Sequence, residues 1–384
     1  MLLLSICTEG CGSDAGGQGT TGGAGAASAS AGTSSTGAAA TGGSGAGAGA
    51  GAGGSSSGGG AAPTALPLGT ISDQGATECV IKGPGTLLPG AACRKLMVDC
   101  PDIEPLGAVV AVVAPDNPKG TIVLHDGGGG ETFFGRNDLV QRYLDAGFRI
   151  VEMEWDSAWE ASASHPSIKS AACRPATVMQ WVFDEIQGGS RTEGFCGQGQ
   201  SGGSGVMSYA LAAYGLGDIL DYVMITSGPP FGRMDCGCGS TAADCAIPDG
   251  FCPELTSEAI AAANHLPSKV ADWEGIETCG PGATDEDYAK YRADSVASPD
   301  ALFEYPQTLV DAFYCAMNPN PTPAGGALFL SKVTTEGGAK PAVHCSPSCS
   351  VESIYQADNA LSDGTLVSDA MVDLMTSKCT PRHP

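Results

Sequence analysis

Residues 194–205 read Gly-Phe-Cys-Gly-Gln-Gly-Gln-Ser-Gly-Gly-Ser-Gly, and 199–203 within them form a G-x-S-x-G pattern. Small residues two places before and two after a serine let a strand turn sharply into a helix. The turn strains the serine backbone and projects its hydroxyl from the end of a sheet. A helical pattern follows directly in Val206, Tyr209, Ala210, Ala213 and Tyr214, stopped by Gly215. Ser201 is therefore a candidate nucleophile; the plain alternative is one more Gly/Ser linker in a glycine-rich chain. Gly197, Gly199 and Gly202 also match G-x-G-x-x-G. A dinucleotide site puts that fingerprint in the first strand–helix unit, and several strands precede it here, so no cofactor is expected.

Upstream, 106–114 is a continuous apolar run of strand length, and 120–125 is a second strand ending in His125-Asp126 and four glycines. A helix is expected at Leu139, Tyr143 and Leu144, a strand over 148–155, and a helix through Val178, Trp181, Val182 and Ile186. The run 93–100 alternates like an edge strand bracketed by cysteines. Downstream come a strand over 222–226, an irregular stretch over 232–305, a strand over 308–315 and a helix over 324–333. Either 342–345 or 351–355 supplies the last strand, before a closing helix over 369–375. Strands alternating with helices imply a mostly parallel sheet flanked by helices on both faces. In such sheets the chemistry gathers at the carboxyl ends of the strands, where both the serine turn and the glycine loop after His125 fall. Trp155 and Trp159 suit core packing better than a substrate pocket.

The chain has 384 residues, with 18 basic against 42 acidic ones and a net charge of −24. No basic patch is visible that could displace counterions from a nucleic acid, so that partner class is excluded. Between Asp14 and Asp73 no charged residue occurs, and Gly, Ala, Ser and Thr dominate. Such a run is read as a flexible spacer over 12–75, with a folded domain over 76–384. The 16 cysteines, all but Cys7 and Cys11 beyond the spacer, show no repeated metal-site pairs. They imply a disulfide framework made in an oxidising compartment, with pairings left open and no metal expected. Residues 232–305, holding Cys236, Cys238, Cys245, Cys252 and Cys279, are read as a disulfide-stapled cap.

The glycine loop and the serine turn together resemble the α/β-hydrolase superfamily over about residues 90–380. Ser227-Gly-Pro-Pro230, and Asp294-Ser-Val-x-Ser-Pro-Asp300 ahead of Tyr305-Pro306, resemble a secreted, cysteine-rich bacterial branch of it. Residues 1–11 resemble a shortened lipoprotein signal, in which Cys7 or Cys11 would carry a lipid and attach the chain to a membrane at the cell surface or in the periplasm. The resemblance implies an α/β-hydrolase fold and an exported serine hydrolase acting on a small ester or peptide. Ser201 would attack, and backbone N–H groups of Gly127, Gly128 or Gly129, with Gly202, would hold the oxyanion. It also implies the chain order serine, acid, histidine. At the matching positions stand Asn318 and Asn359, and an asparagine cannot take a proton from serine near neutral pH. The alternative is thus a catalytically degraded surface or binding protein. His125 is expected to be structural, while His165, His265 and His383 fall outside the family order. His344 is the one histidine in the right part of the chain to substitute as base. Asp235, beyond the strand 222–226, is a substitute acid if it does not pair with Arg233.

Overall fold

The computed structural model describes residues 63–82, 87–163, 167–240, 242–248, 251–252, 282–316, 322–347, 349, 354–355 and 358–383. Their strands are β1 (Thr70–Thr77), β2 (Ala92–Cys100), β3 (Ile103–Val113), β4 (Gly120–His125), β5 (Arg149–Trp155), β6 (Gly194–Gln200), β7 (Tyr222–Thr226), β8 (Leu309–Cys315) and β9 (Ala342–Ser346). They form one sheet in the order β1-β2-β3-β5-β4-β6-β7-β8-β9. The first three strands and the β3–β5 pair are antiparallel, and every pair from β5 to β9 is parallel. This strand order, with a sharp strand-to-helix turn after β6, is that of the α/β-hydrolase fold.

The helices are α1 (Asn137–Asp145), α2 (Ile168–Ala171), α3 (Cys173–Trp181), α4 (Gly202–Ala212), α5 (Met234–Gly237), α6 (Asp285–Asp294), α7 (Thr322–Leu330) and α8 (Val367–Lys378). Central strands such as β4 (GTIVLH) are enclosed on both faces, which their β-branched and apolar run requires. One face carries α3 and α4 in the larger core cluster; α1 and α8 bury Leu139, Tyr143, Val367 and Met371 on the other. Strand β6 is poor in bulk for a reason. A Cβ on Gly199 would stand 2.1 Å from the Gly203 carbonyl oxygen, so glycine here lets α4 lie directly against the sheet.

The chain leaves β4 for β5 on one side and then crosses to β6 on the other. The strand order therefore reverses at β4, and the crevice between the carboxyl ends of β4 and β6 is the point where such sheets take ligands. The loop after His125 and the turn at Ser201 flank it.

Three expectations change. Strand 93–100 is not an edge, because β1 pairs outside it; the sequence of β1, TISDQGAT, is polar and mostly exposed, held by backbone bonds rather than an apolar face. The folded region consequently starts before residue 76, with Leu66 donating to the Ala213 carbonyl and Gly69 to the Thr177 hydroxyl. The spacer up to residue 62, with Cys7 and Cys11, lies outside the described residues. The last strand among the described residues is 342–346, and 351–353 of the alternative lie outside them.

Disulfides join Cys79–Cys93, Cys100–Cys173, Cys196–Cys379, Cys236–Cys245, Cys252–Cys345 and Cys315–Cys349, and Cys238 is also bridged. Within 232–305 the described parts include α5 and α6, the latter opened by a capping box of Thr284 and Asp287. Asp294, at its end, accepts from the backbone N–H groups of Ile168 and Lys169 and so fixes this segment to the sheet domain. No helix among the described residues is long and apolar enough to cross a membrane.

Candidate active site

Ser201 sits between β6 and α4 with φ 49° and ψ −112°, a conformation that costs a non-glycine residue of order 1–3 kcal/mol. The turn is held from both sides. The Ser201 N–H donates to the Thr226 carbonyl at 2.8 Å, and the Ser201 carbonyl accepts from Ser204 N–H at 2.9 Å to begin α4. Among the described residues its hydroxyl has no hydrogen-bond partner.

The loop after β4 closes over this turn. A Cβ on Gly127 would lie 3.4 Å from the Ser201 Cβ, and one on Gly202 would lie 2.0 Å from the Gly128 oxygen. Gly202 opens α4, where the first N–H groups have no partner inside the helix. The loop is held by its own carbonyls: that of Gly127 accepts from Gly130 N–H at 3.2 Å, and that of Gly129 from Trp159 N–H at 2.9 Å. Gly128, at φ 56°, lies against Gly202.

Behind the loop stand two carboxyls. Asp126 accepts from Thr132 Oγ1 at 2.7 Å, and burial raises its pKa. Burial pushes Glu152 up to about 7, against the opposing influence of the Phe134 and Gly135 backbone N–H groups.

The histidines are placed elsewhere. His125 is wholly buried, which holds its pKa down to about 4. Its Nε2 accepts from Trp155 Nε1–H at 3.0 Å, so its Nδ1–H is the nitrogen that faces the Asp126 carbonyl at 3.1 Å. With its lone pair committed to the indole it is a strut, and Trp155 and Trp159 are fully buried core. His344 lies inside β9, in register with Gln200 through Phe313 and Thr226. Three strand spacings separate it from the serine turn, about 14 Å. Its ring stacks on Phe313 at 4.5 Å, and Nε2 faces Asp311 at 3.6 Å. The structure thus does not bring His344 to Ser201; the expectation that it substitutes as base fails because a mid-strand side chain is fixed to its own sheet face. His383 lies 2.7 Å from Gln307 and 3.2 Å from the Leu220 carbonyl, residues that precede β8 and β7, at the edge opposite Ser201. His165 and His265 lie outside the described residues.

Asp235 is buried in α5 and takes both its contacts from one guanidinium, Arg233 Nε at 2.8 Å and Nη2 at 2.7 Å. That closed pair corrects its reading as a substitute acid. Asn318 lies outside the described residues. Asn359 is buried in the loop between β9 and α8, its carbonyl accepting from Val367 N–H at 2.9 Å.

The same loop delivers a residue that the sequence reading did not single out. The Tyr355 hydroxyl meets Thr226 Oγ1, with the Gln198 amide at 3.5 Å, and its ring stacks edge-on against Phe134. Burial raises the pKa of this phenol, so it stays neutral and is no base. Arg136 lies over the Tyr355 ring, 5.2 Å from its centroid. No local motif announces either contact; a tyrosine followed by Gln-Ala-Asp looks like any loop.

No protein-family model matches the sequence, and no curated protein does. Among solved structures, an esterase from Pyrobaculum calidifontis is similar at 15% identity over 81% of this chain and 86% of that one, with a TM-score of 0.47. A thermostable carboxylesterase cloned from a metagenomic library is similar at 14% identity, over 75% and 90%, with a TM-score of 0.48. A bacterial heroin esterase is similar at 14% identity, over 77% and 85%, with a TM-score of 0.45. These likenesses are distant; the fold assignment stands on the strand order and the turn after β6.

Proposed function

We propose that this chain is an exported protein of α/β-hydrolase fold that keeps the nucleophile's seat without a base to activate it, and that it binds small ligands rather than cleaving them. The observation that carries this reading is the Ser201 hydroxyl, which has no hydrogen-bond partner among the described residues. A serine is a weak nucleophile until a base takes its proton, and the base must stand within hydrogen-bond reach. Among the described residues, His125 gives its lone pair to Trp155, His344 and His383 lie away from Ser201, and the loop between β9 and α8 offers Tyr355 and Asn359. Export is supported by the disulfides, which persist in oxidising compartments; attachment through a lipid on Cys7 or Cys11 belongs to the same proposal.

The strained backbone at Ser201, beside Gly128 and Gly202, favours a second reading, a working serine hydrolase on ester or peptide bonds. Steady-state hydrolysis of p-nitrophenyl acetate separates the two. The binding reading expects wild type and Ser201→Ala to show the same slow background. A wild-type rate about a hundredfold or more above that of Ser201→Ala would establish the hydrolase instead.

A further inference from the structure

Beside the serine turn, on the sheet face that carries α1 and α8, lies a cavity of about 530 Å³, within the range of small-molecule sites. Its walls include Arg136, Leu139, Arg142, Tyr355, Leu366 and Ser368. It combines an apolar and aromatic surface with two guanidiniums. The two differ sharply in their partners. Arg142 is answered by Asp369 at 2.9 Å. Arg136 forms no ion pair among the described residues.

That is unusual in this chain, where 42 acidic residues face 18 basic ones. Arg94, Arg142, Arg149, Arg174, Arg233, Arg292 and Arg382 each stand within salt-bridge reach of a carboxylate. Arg191 does not, but it is exposed and donates to the Asp218 carbonyl. Arg136 is half-buried; its Nε is enclosed with no acceptor, and its Nη2 reaches Gln200 Oε1 only at 3.4 Å. Asp126 feels its charge from behind the loop without bonding it. Asp138, in the first turn of α1, also lines the cavity but is exposed to solvent and makes no ion pair with Arg136. A partly dehydrated guanidinium with donors to spare is a fork for a planar carboxylate.

We propose that this cavity binds an organic acid, its carboxylate on Arg136 and its apolar or aromatic body between Tyr355, Leu139 and Leu366. The site is distinct from the Ser201 hydroxyl and does not require that it react. Contact with Gln200, the residue before Ser201, places the ligand beside the serine turn.

Calorimetric titration of the full, oxidised chain with 4-phenylbutyrate and its neutral amide, 4-phenylbutanamide, tests this. The acid is expected to bind about tenfold or more tighter than the amide, the usual worth of a charge-assisted bond. Arg136→Ala and Arg136→Gln should bind the two alike, and Arg191→Ala should keep the preference. Equal binding of acid and amide by wild type, binding of neither, or a preference that survives both Arg136 variants would overturn the proposal. The acid–amide preference reports binding at Arg136 alone, so such a failure leaves the reading of Ser201 untouched.

Discussion

The hydroxyl of Tyr355 meets the hydroxyl of Thr226, and the carbonyl of Thr226 holds the N–H of Ser201. The loop between β9 and α8 is therefore tied to the serine turn through one residue of β7. Tyr355→Phe removes the bond while keeping the ring against Phe134 and Arg136. It should lower stability by about 1–2 kcal/mol in urea unfolding, because Thr226 Oγ1 loses a buried partner. A value near zero would show that the contact does not anchor the loop.

Asp235 offers a contrast between a carboxylate that could serve chemistry and one that serves architecture. Its two oxygens are both spent on Arg233, which also reaches Asp244 at 2.9 Å. Asp235→Asn leaves the buried guanidinium short of charge and should cost about 3 kcal/mol. The urea midpoint reports it; an unchanged midpoint would return Asp235 to consideration as a functional acid.

Glu152 gives the fold a pH dependence of definite sign. Its folded pKa of about 7 lies above the ordinary value of 4.5, so the native state holds the extra proton between those limits. Stability contributed in acid is then lost as pH rises from about 4.5 to about 7. Buried Glu160, also raised to about 7, acts in the same direction, while His125, held near 4, acts in the opposite one. The difference between wild type and Glu152→Gln isolates one group. The variant should gain roughly 2–3 kcal/mol on wild type between pH 5 and pH 8. A pH-independent difference would mean that Glu152 titrates normally.

The bridge Cys196–Cys379 spans a separation of 183 residues and ties the start of β6 to the chain beyond α8. Replacing both cysteines by alanine frees a long loop in the unfolded state and should cost about 2–5 kcal/mol. Thermal unfolding of the double variant reads this directly. An unchanged melting temperature would show that the bridge merely decorates a sheet already closed.

The features legible in sequence are those with strict local demands. Gly199, Gly202 and Gly203 are readable because the serine turn leaves no room for a Cβ, and β4 and β7 because strands buried on both faces must be continuously apolar. What escaped detection depends on distance in three dimensions. A polar stretch such as 70–77 becomes a strand by pairing alone. An apolar run does not say on which face His344 falls or how many strands separate it from Ser201. The bond between Thr226 and Tyr355 joins residues 129 apart in the chain. That Arg136 has no ion pair among the described residues is likewise visible only once the carboxylates around it have positions.

The state of Ser201 is tested most directly by treating the oxidised full chain with a fluorophosphonate and mapping the adduct by mass spectrometry. A serine without a base should remain unmodified, no more labelled than Ser201→Ala, at probe concentrations that fully label an active serine hydrolase run alongside. Stoichiometric phosphonylation of Ser201 would contradict this, and would mean that a base reaches the hydroxyl after all.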